Sequence, residues 1–114
     1  MIKIEAIVRE EVYEDVKQAL ADIEVKGLTV YQVMGCGVQK GRSEVVRGKR
    51  IEFNMLPKIK FEIVVSTREW AEKTIDVIKK VAYTGNIGDG KIFVQELTEV
   101  VRIRTGETGI SAIN

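Results

Sequence analysis

The chain has 114 residues, 45% of them hydrophobic and 31% charged, with 18 Lys and Arg against 17 Asp and Glu for a net charge of +1. Those values describe one soluble globular domain, able to bury about two thirds of its unfolded surface around a single core. They give no electrostatic drive toward nucleic acid or an anionic membrane. With one Cys and no His, an internal disulfide is excluded and the commonest general base and transition-metal ligand is missing. The opening MIKIEAIVREEV alternates charged and apolar residues, unlike a signal peptide, and no later stretch approaches the ~20 apolar residues of a membrane span. The expected setting is a reducing cytoplasm, with any membrane role limited to peripheral contact.

Ile2, Ile4, Ala6 and Val8 alternate with Lys3, Glu5, Ile7 and Arg9, the period of a strand with one buried face. Val12, Val16, Ala19, Leu20 and Ile23 then recur at helical spacing, with Gly27 as the expected stop. A second strand is expected from Leu28 to Met34. In a third, Ile59, Phe61, Ile63 and Val65 face one way and Lys58, Lys60, Glu62 and Val64 the other. Ser66-Thr67-Arg68-Glu69 has capping-box spacing with Ser66 as the cap, and it opens a helix carrying Trp70, Thr74, Ile78 and Val81. A fourth strand follows at "KIFV", and Val100 to Arg104 reads as a final extended piece. The order βαββαβ is the ferredoxin-like pattern, an α+β fold with two helices on one face of an antiparallel sheet, in a single domain over residues 1–114.

Two stretches stand apart from this framework. From Gly35 to about Leu56 runs "GCGVQKGRSEVVRGKRIEFNML", roughly 20 residues where a hairpin loop uses ~2–5. It is either a flap kept soluble by Lys40, Arg42, Arg47, Lys49 and Arg50 or an arm that binds something. The second stretch is "TGNIGDGKIFV". Gly85-x-x-x-x-Gly90-Lys91 fits the start of a P-loop, but Ile92 stands where a magnesium-holding Ser or Thr belongs, and the loop joins a helix to a strand, the reverse of a P-loop. It is either an ordinary Gly-rich turn or a different grip on phosphate. Gly88 and Gly90 would let backbone N–H groups approach an anion, Lys91 adds a charge, and Asp89 suits the turn. In "VRIRT", Arg102 and Arg104 are two apart and would leave one face of an extended segment together, within reach of one polyphosphate. Each feature alone has an ordinary surface reading; together they point to a polyanion.

Gly35-x-Gly37-x-Gln39-Lys40-Gly41, Arg47-Gly48, "LPKIKFEIVV" at 56–65, "TGNIGDGKIFV" and "VVRIRTGE" resemble, in order and over essentially the whole chain, the P-II nitrogen signal-transduction proteins. The resemblance implies a homotrimer that binds ATP or ADP in clefts between subunits, and 2-oxoglutarate beside Mg-ATP. It implies a T-loop at about 37–55, a B-loop at about 84–91 and a C-terminal segment at about 102–114. The implied nucleotide residues are Thr29, Gly35, Gly37, Val38 and Val64, with Gly88, Asp89, Gly90 and Lys91 on the B-loop and Arg102 and Arg104 from the neighbouring subunit. Gln39 would ligate Mg and meet 2-oxoglutarate, Lys58 would pair with its distal carboxylate, and Gly88 would lie beside it. The role implied is sensing without phosphoryl transfer, in a chain with no His and no evident base for a water.

The T-loop is the family's contact with its targets, and Arg47 matches the residue that plugs an ammonium channel's exit. Regulation departs from the pattern. Where many members carry a uridylylated Tyr, this chain has Ile51, without a hydroxyl; a Ser phosphorylated in others falls at Lys49, and Ser43 is read as an ordinary loop residue. Val38 replaces a basic residue common near the phosphates, which bears on the ATP/ADP preference. The expectation is a ligand-switched regulator of an ammonium transporter, or alternatively of glutamine synthetase or a nitrogenase partner. An acylphosphatase-like enzyme shares the fold, but its phosphate loop follows the first strand. An RNA-binding module would need stacking aromatics on the central strands, and no nucleic-acid partner is expected.

Overall fold

A computed structural model describes residues 1–38 and 53–113. Four strands, β1 (Ile2–Arg9), β2 (Leu28–Val38), β3 (Phe53–Val65) and β4 (Lys91–Glu96), form one antiparallel sheet in the order β2-β3-β1-β4. Helices α1 (Tyr13–Asp22) and α2 (Arg68–Ala82) cover one face. The period of two places the core as expected. Ile2, Ile4, Ala6 and Val8 of β1 and Ile59, Phe61, Ile63 and Val65 of β3 pack against Val16, Leu20, Ala71 and Ile78 of the helices. Thr74 is buried among them, and its hydroxyl is satisfied by donating to the Trp70 carbonyl at 2.8 Å.

The opposite face stays polar. Lys3 pairs with Glu62 at 3.5 Å, Lys60 with Glu5 at 3.5 Å, and the Tyr31 hydroxyl donates to Glu62 at 3.2 Å. These half-exposed pairs add little stability; their consequence is a charged face on a sheet that is apolar on the other side.

Both helices end differently from the sequence expectation. Gly27 is not the stop of α1. Glu24 takes the left-handed position at φ 68°, the Val25 N–H donates to Leu20 O at 3.0 Å and the Glu24 N–H to Ala21 O at 2.9 Å. That is the Schellman pair, which satisfies the last carbonyls without waiting for a glycine. Ser66 is not the cap of α2. Thr67 is extended, and its Oγ1 accepts the Trp70 N–H at 3.1 Å, because the first helical residue is Arg68 and the third position after Thr67 is therefore Trp70, not Glu69.

The strands flanking the insert run further than their alternation indicates. β2 continues to Val38 and β3 begins at Phe53, with Gly35 opposite Leu56 and Val38 opposite Phe53. Gly35 and Gly37 carry no side chain and so interrupt the apolar pattern, but the hydrogen-bonded ladder needs none. Gly35 also has a steric reason: a Cβ there would sit 3.0 Å from Lys58 Cγ, whose chain crosses it.

The piece from Val100 to Arg104 is not extended. Val101 bridges Thr108, the Arg102 N–H donates to Glu107 O at 2.8 Å and the Gly106 N–H to Arg102 O at 2.8 Å, with residues 103–105 turning between. A short 3-10 turn, Gly109–Ala112, follows. No helix is long and apolar enough to cross a membrane among the described residues.

Thr67→Ala is expected to cost about 1 kcal/mol in urea unfolding, and Ser66→Ala to stay within about 0.5 kcal/mol of the parent. The reverse order would move the cap one residue back.

Candidate functional site

The loop from α2 to β4 is set by glycines at positive φ: Gly85 at 88°, Gly88 at 107° and Gly90 at 108°. Gly90 is the most constrained, since a Cβ would stand 1.8 Å from the Ile7 carbonyl oxygen. The loop leaves by lying directly on the backbone of β1.

Asp89 closes the loop on itself. Its Oδ2 accepts the N–H groups of Thr84 at 2.8 Å and Gly85 at 2.9 Å. Its Oδ1 accepts Arg9 Nε at 3.1 Å and the Thr84 hydroxyl. The Thr84 hydroxyl foremost, then the two backbone N–H groups and Arg9, hold the Asp89 carboxyl far below the usual carboxylate range.

Two cations brace the same loop from the sheet. Arg9 Nη2 donates to Ile87 O at 2.8 Å, and Lys58 Nζ donates to Gly88 O at 2.7 Å. Arg9 and Lys58 are cross-strand partners, so the β1–β3 register delivers both to one point. Gly35 lies under the Lys58 chain, and Gly37 is two residues on along β2. Lys91 begins β4 opposite Ile7, with an exposed side chain. The backbone of Val38 ends β2. Gln39, Ser43, Arg47, Lys49 and Ile51 lie outside the described residues.

Thr29 and Val64 are elsewhere. Thr29 pairs with Glu62 and Val64 with Lys3, and both line a cleft of about 710 Å³ with Trp70, Val100 and Ala112. Arg102 belongs to this end, its guanidinium reaching Ala112 O at 3.4 Å and Glu107 Oε1 at 3.2 Å. Arg104 is exposed in the turn. The turn also corrects the expectation that Arg102 and Arg104 share one face of an extended segment. From Val64 to Lys58 is six residues along β3, about 20 Å at ~3.3 Å per residue, so the candidate residues fall into two groups at opposite ends of one sheet.

Arg9 and Thr84 carry the loop's architecture, yet neither stands out in the sequence by itself. Thr84 opens the quoted block, but its partner is five residues on, at Asp89. Arg9 reads as one more charged residue of an alternating strand until the β1–β3 register sets it against Lys58.

Fold and loop define the class: a ferredoxin-like α+β protein whose Gly-rich loop follows a helix and feeds a strand. The chain belongs to the P-II family. The family described as "Nitrogen regulatory protein P-II" matches residues 1–107. The nitrogen regulatory protein P-II of Rhizobium meliloti is 49% identical over 113 residues, covering 99% of this chain and 100% of that protein. The nitrogen regulatory protein GlnK of Escherichia coli is 49% identical over 100 residues, 88% of each. The solved GlnK–ATP complex of B. subtilis is 42% identical with a TM-score of 0.84, over 97% of this chain and 96% of that one.

Gly90→Ala is expected to cost more than about 3 kcal/mol, because the Ile7 backbone cannot yield, whereas Gly106→Ala, also at positive φ but in open space, is expected to cost about 1 kcal/mol. Thermal unfolding of the two variants checks the contrast. Because the folded Asp89 value is depressed, its contribution is full above the ordinary 3.8 and is lost as the pH falls from there. The stability gap between the parent and Asp89→Asn is therefore expected to be widest near neutral pH and to close on acidification.

Proposed function

We propose that the chain is a nitrogen-status sensor that binds ATP or ADP at the B-loop, takes up 2-oxoglutarate with Mg, and passes the bound state to a target through its T-loop. Family membership supports the regulatory role and a non-enzymatic one. The solved B. subtilis relative is a complex with ATP. The observation that carries the nucleotide reading is the separation of the candidate residues. Gly35, Gly37, Gly88, Asp89, Gly90 and Lys91 stand at one end of the sheet, and Thr29, Val64, Arg102 and Arg104 at the other.

One nucleotide cannot use both ends of the same chain. It can use the loop end of one copy and the far end of the next, and such a head-to-tail contact closes into a ring when the rotation allows. A homotrimer with three intersubunit clefts satisfies this. Val38, apolar where a base would attract phosphate, shifts the burden to Lys91 and the neighbour's arginines.

The 2-oxoglutarate reading is supported by Lys58, whose ammonium donates to Gly88 O on the B-loop at 2.7 Å and would there pair with a carboxylate bound beside the phosphates. Gln39, with the nucleotide phosphates, would hold the Mg, and a ligand bridging Gln39 and Lys58 would favour one T-loop conformation by its differential contacts. With Ile51 lacking a hydroxyl, regulation is by ligands alone. The proposed target is an ammonium transporter reached from the cytoplasm by Arg47, as a peripheral contact; glutamine synthetase or a nitrogenase partner is the alternative.

Calorimetric titration is expected to show 2-oxoglutarate binding only after Mg-ATP, with Gln39→Ala and Lys58→Ala each abolishing the second event. Binding of 2-oxoglutarate without nucleotide, or of neither ligand, would overturn the reading.

A further inference from the structure

A carboxylate inside a loop that is to receive phosphates needs a reason, because its charge opposes the ligand's. Among the described residues, the Asp89 carboxylate is engaged from within the protein: two N–H groups and a hydroxyl from Thr84 and Gly85, and one guanidinium N–H from Arg9. An oxygen already accepting two bonds has little capacity left for a metal or a ligand donor. The carboxylate is thus turned inward, while the residue's backbone remains part of the loop.

Arg9 carries the constraint further. Its Nε meets Asp89 and its Nη2 meets Ile87 O, so one rigid guanidinium fixes two points of the loop together. In a planar trans peptide the C=O and the following N–H point in opposite directions. Holding Ile87 O toward Arg9, and Gly88 O toward Lys58 at 2.7 Å, therefore turns the N–H groups of Gly88 and Asp89 to the other side. Oriented N–H groups on a Gly-rich turn are what an anion requires.

We infer that Asp89, Arg9 and Thr84 act as positioning residues: a brace that sets the B-loop amides for phosphate before the nucleotide arrives, with the Asp89 carboxylate and the Arg9 guanidinium engaging each other and not the ligand. This rests on the nucleotide reading above. The brace lowers the ordering cost of binding, since the loop that meets the phosphates is already fixed. It also explains why an acidic side chain is tolerated there, because the Arg9 charge offsets it at 3.1 Å.

The test is the ATP affinity, at constant Mg, of Asp89→Asn, Arg9→Gln, their double variant, Thr84→Val and Thr84→Ser, each confirmed as folded by its thermal transition. Asp89→Asn keeps one acceptor for the backbone N–H groups but sets an amide N–H against Arg9. It and Arg9→Gln are each expected to weaken ATP by at least about tenfold, and the double variant no more than the worse single one. Thr84→Val is expected to weaken ATP similarly, and Thr84→Ser, which keeps the hydroxyl, to return within about threefold of the parent. Unchanged or tighter binding by Asp89→Asn, or losses that add in the double variant and so give Arg9 a role independent of Asp89, would overturn the brace.

A second measurement separates this inference from the nucleotide reading. In nucleotide-free protein, backbone order parameters at Gly85, Gly88 and Gly90 are expected to fall from about 0.85 to below about 0.6 in Asp89→Asn. If the parent binds no ATP the sensor reading fails, and the order parameters alone decide the brace: a drop supports it, and rigid glycines in the variant reject it.

Discussion

A Cβ at Gly90 would stand 1.8 Å from the Ile7 carbonyl oxygen, so the chain can pass from the Gly-rich loop onto β1 only without a side chain. This close approach lets β4 start at Lys91 in register with Ile7. It also brings the loop against the end of β1, where Arg9 stands. With any larger residue the loop would lift away, and Arg9 and Lys58 would lose the carbonyls they hold. The core, by contrast, is indifferent to the loop: Ile4, Ala6, Phe61 and Ile63 are buried by the sheet and helices whatever follows α2.

The sheet therefore has two functions that its two faces keep apart. The apolar face supplies stability through burial. The other face is polar, with charges paired along its middle, Lys3 to Glu62 and Lys60 to Glu5, and the candidate site residues divide between its two ends. At the β1–β3 end two cations brace a Gly-rich loop. At the opposite end Thr29, Val64, Val100 and Ala112 border a cleft.

Charge compensation is the other theme of the loop. Asp89 sits among four donors and Arg9 between a carboxylate and a carbonyl, so neither charge stands alone. Such fully partnered groups stiffen what they join. A loop already held in place loses less freedom when it binds.

How far the sequence reached depends on the range of the interactions. The strands of β1 and β3, both helices, the ferredoxin-like order and the family were legible, because period-two and period-3.6 burial and a block such as TGNIGDGKIFV are local and follow from residue order. The caps lie one to three residues from where residue types alone indicate, at Thr67 and Glu24, since a cap depends on which residue turns first and not on which types are nearby. The glycines of Gly35 and Gly37 hid the last part of β2, because a ladder is held by backbone groups that the alternation of side chains does not report. The spacing of Arg102 and Arg104 suggests one extended pair, whereas Glu107 and Thr108 fold the segment into a hairpin. Only the tertiary structure decided that Arg9 joins Lys58 and Asp89, residues 49 and 80 positions away from Arg9, because strand register is set by pairing across the chain. The same register set the two halves of the candidate site at opposite ends of the sheet.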